Sequence, residues 1–203
     1  SMPVYLPTLA IAGVKNVTVH PGNRELPAVM ATITLVDPET GFPLAVMDGT
    51  YLTRLRTGAA GALAASHIAR EDARVAGFVG AGRQADTQLD GLMITRPAIR
   101  TVLAYDLDAD RSSRFCQRCR ERYGIEAAST GSIEEVARAC DILTTTTPAR
   151  RPIVRDEWIR PGTHINAIGA DAPGKQELDP ALLKRARIVV DNWEQASHSG
   201  EIN

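Results

Sequence analysis

The spacing of hydrophobic residues changes along the chain, and the changes divide it. From Val29 to Val36 they alternate, with Val29, Ala31, Ile33 and Leu35 on one face and Met30, Thr32, Thr34 and Val36 on the other. A period of two predicts a half-buried strand. Asp37-Pro38-Glu39-Thr40-Gly41 follows as turn chemistry, and Phe42 to Met47 reads as the return strand of a hairpin. Two strands alone are marginal in water, so a larger sheet is expected. Residues 1–28 offer little further strand signal, which puts the missing strands outside this chain.

Residues 50–70 change character. Tyr51 to Arg56 leads into Thr57-Gly58-Ala59-Ala60-Gly61-Ala62-Leu63-Ala64-Ala65, small residues that predict one tightly packed helix. Beyond residue 74 the pattern alternates between short apolar runs and amphipathic stretches. Strands are predicted at Val75–Val79, Thr101–Tyr105, Ile125–Ala127, Asp141–Thr146, Thr163–Ile168 and Arg187–Asp191. Helices are predicted at Ala85–Ile94, Ala109–Tyr123, from the capping-box pattern Ser132-Ile133-Glu134-Glu135, and at Leu178–Arg185. Such alternation makes the fold class α/β, a doubly wound parallel sheet covered on both faces.

Composition narrows the function classes. The 203 residues are 44% hydrophobic and 23% charged, which is globular composition. Lys and Arg number 23 against 24 Asp and Glu, so no basic field favours a nucleic-acid partner. No apolar run reaches the ~18–20 residues that span a bilayer, and Ser1 to Leu6 lacks a secretory pattern, so no membrane partner is expected. Three cysteines (Cys116, Cys119 and Cys140) do not make a disulfide scaffold and suggest a reducing, cytoplasmic compartment.

Gly80-Ala81-Gly82-Arg83-Gln84-Ala85 has the form G-x-G-x-x-A, between a predicted strand and a predicted helix. That context is what makes the pattern a dinucleotide site. Gly80 permits a tight turn, Gly82 lets a pyrophosphate approach the backbone, and Ala85 keeps helix and strand close. Asp106 ends the next strand, 21 residues past Ala85. A carboxylate there accepts from ribose hydroxyls and repels a 2′-phosphate, favouring NAD(H) over NADP(H). Asp is also a common helix cap, and Arg111 nearby softens the preference. Thr144 to Thr147 follows the fourth strand, where hydroxyls, that of Thr145 among them, either touch the nicotinamide half of a cofactor or belong to ordinary strand sequence. The Gly162–Glu177 stretch runs from a strand into a Gly/Pro-rich loop bearing Asp171 and Lys175, an acid/base candidate and an anion partner, or else a solvated loop. Cys116-Gln117-Arg118-Cys119 lacks the two further ligands zinc needs, so no metal is expected. His164 reads as a satisfied interior histidine, His20 in His20-Pro21-Gly22-Asn23 as a turn residue, and Trp158 and Trp193 as packing residues.

Together these segments resemble the ornithine cyclodeaminase/mu-crystallin family, most of all its archaeal-type alanine dehydrogenase branch. Ala12-Gly13-Val14-Lys15, Val19-His20-Pro21-Gly22-Asn23, Val36-Asp37-Pro38-Glu39-Thr40-Gly41, Arg56-Thr57-Gly58-Ala59-Ala60, the glycine turn and the Gly162–Asp179 stretch carry the likeness. It implies a partial N-terminal α+β substrate and dimerisation domain over residues 1–55 and a linking helix over 56–72. It further implies a Rossmann-type NAD-binding domain over 73–195 and the start of a return segment over 196–203. A further domain's worth of structure would lie before Met2 and after Asn203, with another substrate arginine near the chain's start. The implied reaction is hydride removal from the Cα of a small amino acid to NAD, with hydrolysis of the imine to a 2-oxo acid. Ornithine cyclisation to proline and reduction of a cyclic ketimine are alternatives within the class. A mu-crystallin-like dinucleotide-dependent binder, or a cofactor domain needing a missing segment, are alternatives outside it. The resemblance makes Lys15 and Asp171 catalytic, and Lys15 and Arg56 substrate-binding. Arg56, Thr57, Gly80, Gly82, Arg83, Gln84, Asp106, Thr145, Asn166 and Lys175 would contact the cofactor. It also implies a homodimer.

Overall fold

The computed structural model describes residues 1–20, 22–23 and 25–202, so Pro21 of the His20–Asn23 turn and Asn203 of the return segment lie outside the described residues. The chain divides into two compact units, Ser1–Arg56 and Thr57–Asn203.

The first unit is a four-stranded antiparallel meander in chain order: β1 (Met2–Leu6), β2 (Ile11–Val19), β3 (Val29–Val36) and β4 (Pro43–Asp48). The expected hairpin is β3–β4. Its turn is held by the Asp37 carboxylate, which accepts from the N–H groups of Glu39 (2.9 Å) and Thr40 (2.8 Å). The Thr40 N–H and hydroxyl, and then the Glu39 N–H, pull the Asp37 carboxyl below its ordinary pKa. Gly41 supplies the positive φ of 72° that closes the turn. The expectation that residues 1–28 hold no further strands is overturned. β1 and β2 supply two, and β2 pairs with β3 over eight positions. β2 escapes a search for alternation because Gly13 and Lys15 occupy the face on which Ile11, Val17 and Val19 lie. β1 has no buried residue to reveal it.

The helix α1 (Thr50–Ile68) is continuous and begins earlier than residue 56. The second unit is built on a five-stranded parallel sheet ordered β10-β8-β5-β6-β7. Its members are β5 (Val75–Val79), β6 (Thr101–Tyr105), β7 (Glu126–Ser129), β8 (Ile142–Thr145) and β10 (His164–Ala167). The chain starts in the middle at β5, steps out to β7, then returns to the other side at β8. The strand order therefore reverses between β5 and β8. Helices α2 (Arg83–Thr95), α3 (Ala109–Tyr123) and α4 (Ile133–Ala139) connect the strands. Ser132 and Asp108 cap α4 and α3, accepting from the N–H groups of Glu135 and Arg111.

Both faces of β5 are buried, which is why it reads as an unbroken apolar run. Ala76 and Phe78 join one core with Leu89, Leu92, Val102 and Phe115. The two phenylalanine rings meet edge to face at 5.1 Å. Val79 joins the other core with Leu143, Val136, Cys140 and Leu178. A parallel pair outside the main sheet, β9 (Arg150–Val154) and β11 (Gln176–Leu178), covers this second face before α5 (Pro180–Arg185). No strand was expected there, because β9 opens with two arginines and a proline and β11 has only three residues.

Two expectations fail. Arg187–Asp191 joins no ladder, and Ile188 and Val189 are exposed; an apolar run becomes a strand only when an edge is offered to it. Trp193 opens α6 (Trp193–His198) and is 69% exposed, so it is not a packing residue here, whereas Trp158 packs on the second core.

Within the second unit, α1 and α2 touch backbone to backbone. A Cβ on Gly91 would lie 2.6 Å from Ala62 Cβ and 2.9 Å from the Gly58 carbonyl oxygen. Gln88, fully buried, donates from Nε2 to the Thr57 carbonyl at 2.9 Å across the same seam. Gly91→Ala would gain about 1 kcal/mol of helix propensity. Overpacking of about 1–3 kcal/mol opposes it. We expect a net loss of stability in urea unfolding; an unchanged or raised midpoint would contradict the close approach.

Candidate active site

Ligands of open α/β sheets bind beyond the strand C-termini where strand order reverses. Here that place lies between the ends of β5 and β8, and the glycine turn is there. Gly80 has φ +91°, a conformation that glycine adopts without penalty. Its N–H donates to the Tyr105 carbonyl (2.8 Å), and its own carbonyl accepts from Thr146 Oγ1 (2.9 Å). A Cβ on Gly80 would lie 2.9 Å from that hydroxyl. Gly82 is the opposite case: a Cβ there would meet no atom within 4 Å. It is the N-cap of α2, and no side chain caps the helix. An uncapped helix start beside open space, with its dipole's positive end outward, suits a diphosphate. Arg83, the first residue of α2, is exposed, and Gln84 behind it donates from Nε2 to Thr87 Oγ1 at 3.1 Å.

Asp106 is joined to this turn directly. Its Oδ2 accepts from Ala81 N–H at 2.8 Å and its Oδ1 from Asp108 N–H at 3.0 Å. The cap of α3 is Asp108, so Asp106 clamps the turn rather than capping a helix. The Arg111 guanidinium lies 3.6 Å from Asp106 Oδ1.

Other residues singled out in the sequence are turned inward. Thr145 is fully buried and its hydroxyl donates to Glu177 Oε2 at 2.7 Å. Asn166 is 5% exposed, and its Nδ2 donates to the Gly61 carbonyl at 3.2 Å. Its Oδ1 faces His164 Nε2 at 2.8 Å, so that nitrogen carries the proton. Burial lowers the His164 pKa, and the ring is a satisfied interior group as expected. Cys116 and Cys119 lie in the first core; burial pushes the Cys119 thiol up to about 12, which leaves it inert near neutral pH.

The loop after β10 carries Asp171, 63% exposed, bridged by Lys175, 18% exposed. Sequence reasoning missed the residue beneath it. Glu177 has no exposed surface and accepts four hydrogen bonds, from the hydroxyls of Thr145 and Thr147 and the N–H groups of Thr147 and Gly169. Burial pushes its pKa up while the four donors pull the other way. The only hint was a glutamate beside Leu178 in a loop that reads as solvated.

In the first unit, Lys15 stands half-buried on β2, opposite Ile33 of β3 and Met2 of β1. Burial, and then the Arg56 cation, lower its pKa. Arg56 is exposed, and Thr57 begins the second unit.

A reversing parallel sheet with a glycine turn clamped by an acid is a Rossmann-type α/β architecture. A sequence model of the ornithine cyclodeaminase/mu-crystallin family matches residues 1–203, and the chain belongs to that family. Alanine dehydrogenase of Archaeoglobus fulgidus is 54% identical over 205 residues, covering all of this chain and 62% of its own length. An archaeal alanine dehydrogenase, solved as a dimer with bound NAD, matches with a TM-score of 0.91 at 53% identity over 98% of this chain and 61% of its own. Δ1-pyrroline-2-carboxylate reductase of Thermococcus litoralis, solved with NADH and L-proline, gives 0.90 at 39% identity over 98% and 62%. The chain thus spans about three fifths of the relatives it matches.

The two glycines should separate in experiment. Gly80→Ala forces a side chain into a positive φ and should cost about 1–3 kcal/mol in chemical unfolding. Gly82→Ala should change stability by less than about 1 kcal/mol. It should nonetheless weaken NADH in a fluorescence titration, because its methyl enters the open space. Equal effects from both would count against this division.

Proposed function

We propose that the protein is an NAD(H)-dependent oxidoreductase acting on the C–N centre of a small amino acid, with alanine dehydrogenase-like oxidative deamination as its reaction. The observation that carries this is the 54% identity with the Archaeoglobus enzyme over every residue of the chain. The open, acid-clamped turn at Gly80–Gly82 supports a diphosphate there, and the Asp106 carboxylate favours NAD(H) over NADP(H). Bound at this turn, NAD supplies a hydride acceptor. The chain's residues do the rest. Lys15, biased toward its neutral form, takes the proton that an amino group must lose before Cα can be oxidised. Arg56 holds the substrate carboxylate as a fixed cation. Asp171 carries protons as water adds to the imine and ammonia leaves, with Lys175 bridging it.

The Thermococcus likeness favours a second reading, reduction of a cyclic ketimine at the same centre. The dimeric relative, and the exposed Val4 and Tyr5 on β1 with Leu44 and Val46 on β4, support a homodimer, read by sedimentation velocity.

The protein should form NADH and a 2-oxo acid from L-alanine and NAD. A cyclodeaminase would give no net NADH, and a ketimine reductase would consume it. Lys15→Met and Asp171→Asn should each lower kcat by about 100-fold or more. Turnover that survives either change would remove that residue from the mechanism.

The pH profile gives an independent check. Only neutral Lys15 accepts a proton, so the rate should rise with pH through its pKa. Arg56 is one of the two causes holding that pKa below 10.5. Arg56→Gln should therefore move the acid limb of kcat to higher pH. A limb that stays in place, or moves down, would show that Lys15 is not the titrating base.

A further inference from the structure

The chain from Gly169 to Glu177 leaves the end of β10, carries Asp171 and Lys175, and returns to β11. Its two ends meet, since the Gly169 N–H donates to Glu177 Oε2 at 2.8 Å. The same oxygen accepts from Thr145 Oγ1 at 2.7 Å, at the end of β8. The other oxygen takes the N–H and the hydroxyl of Thr147, both at 2.7 Å. One carboxylate thus joins the exits of β8 and β10 to the start of β11. Backbone packs against backbone at the same point: a Cβ on Gly169 would lie 2.2 Å from the Thr147 carbonyl oxygen. Asp171 stands two residues from this pinned glycine, and its N–H donates to the Gly169 carbonyl at 3.0 Å. Glu177 is itself held, because the N–H groups of Glu177 and Leu178 donate to the Glu201 carboxylate at 2.7 and 3.0 Å.

We propose that Glu177 is a positioning residue. Its buried carboxylate closes the base of the 169–177 loop and so sets where Asp171 and Lys175 stand at the cofactor edge of the sheet. A fully buried carboxylate is a costly way to close a loop, and all four partners are donors, so only an acceptor-only group satisfies them at once. A glutamine would turn an NH2 group toward a backbone N–H that cannot rotate away. The proposal rests on the reading of Asp171 as the proton carrier.

The test compares Glu177→Gln, and the milder Thr145→Val, with the wild-type protein. Three quantities are read: kcat, the KM for NAD, and hydrogen exchange at the amides of residues 169–175 and of β5 and β6. For Glu177→Gln, kcat should fall about 10–100-fold, the cost of a small misplacement of a reacting group, with the KM for NAD changed less than about threefold. Exchange should quicken in the loop and not in β5 or β6. Thr145→Val should do the same more weakly. Unchanged kcat and loop exchange in Glu177→Gln, or exchange that quickens equally throughout the sheet, overturns the proposal. Should the wild type turn over no amino acid or cyclic imine, the functional reading falls instead. The exchange pattern then still decides whether Glu177 closes the loop.

Discussion

The second unit depends on a single peptide turn kept in a conformation that only glycine holds cheaply. At Gly80 the chain leaves β5 with φ +91°, and three neighbours secure it: the Tyr105 carbonyl, the Thr146 hydroxyl and, one residue on, the Asp106 carboxylate. The three come from β6, from the exit of β8 and from the end of β6 again. The strands on either side of β5 therefore define the turn together. Gly82 can then open onto empty space with α2 uncapped behind it. An unmet helix start is a liability in a protein with nothing to bind. It becomes an asset once an anion is present.

The packing around the turn follows the same economy of side chains. α1 meets α2 through Gly58, Gly61 and Gly91, and β5 presents Gly77 to Val136 and Cys140. Small residues bring backbones close, and the larger Phe78, Phe115 and Leu92 fill the remaining volume with no exposed surface. Several buried polar groups join elements, as when Arg96 donates to the carbonyls of Ser66 and Ala69, and Asn166 to that of Gly61.

Much of the second unit was legible in the sequence, because strands buried on both faces are unbroken apolar runs and their helices carry capping residues. Val75–Val79, Thr101–Tyr105 and Ala109–Tyr123 occur at the residues expected. What escaped notice was decided by tertiary contacts. β9 and β11 form because each finds the other, β1 forms because β2 offers an edge, and Arg187–Asp191 stays unpaired because nothing does. The glycine turn and Asp106 were legible because they follow from spacing. Glu177 was not, since a loop acid and a buried acid look alike in one dimension. Thr145 was legible as a hydroxyl near the right edge and Asn166 only through the family likeness, and in the fold both face inward.

The setting of Lys15 has an evolutionary consequence. Its amine owes its position to the pairing of β2 with β3, where Lys15 lies across from Ile33. Successive residues of a strand point to opposite sides, so a one-residue insertion or deletion upstream within Ile11–Lys15 would turn the amine to the other side while leaving a well-formed sheet. With Lys15 as the proposed base, length changes among descendants of this gene should accumulate at the Asp37–Gly41 turn and be purged from β2.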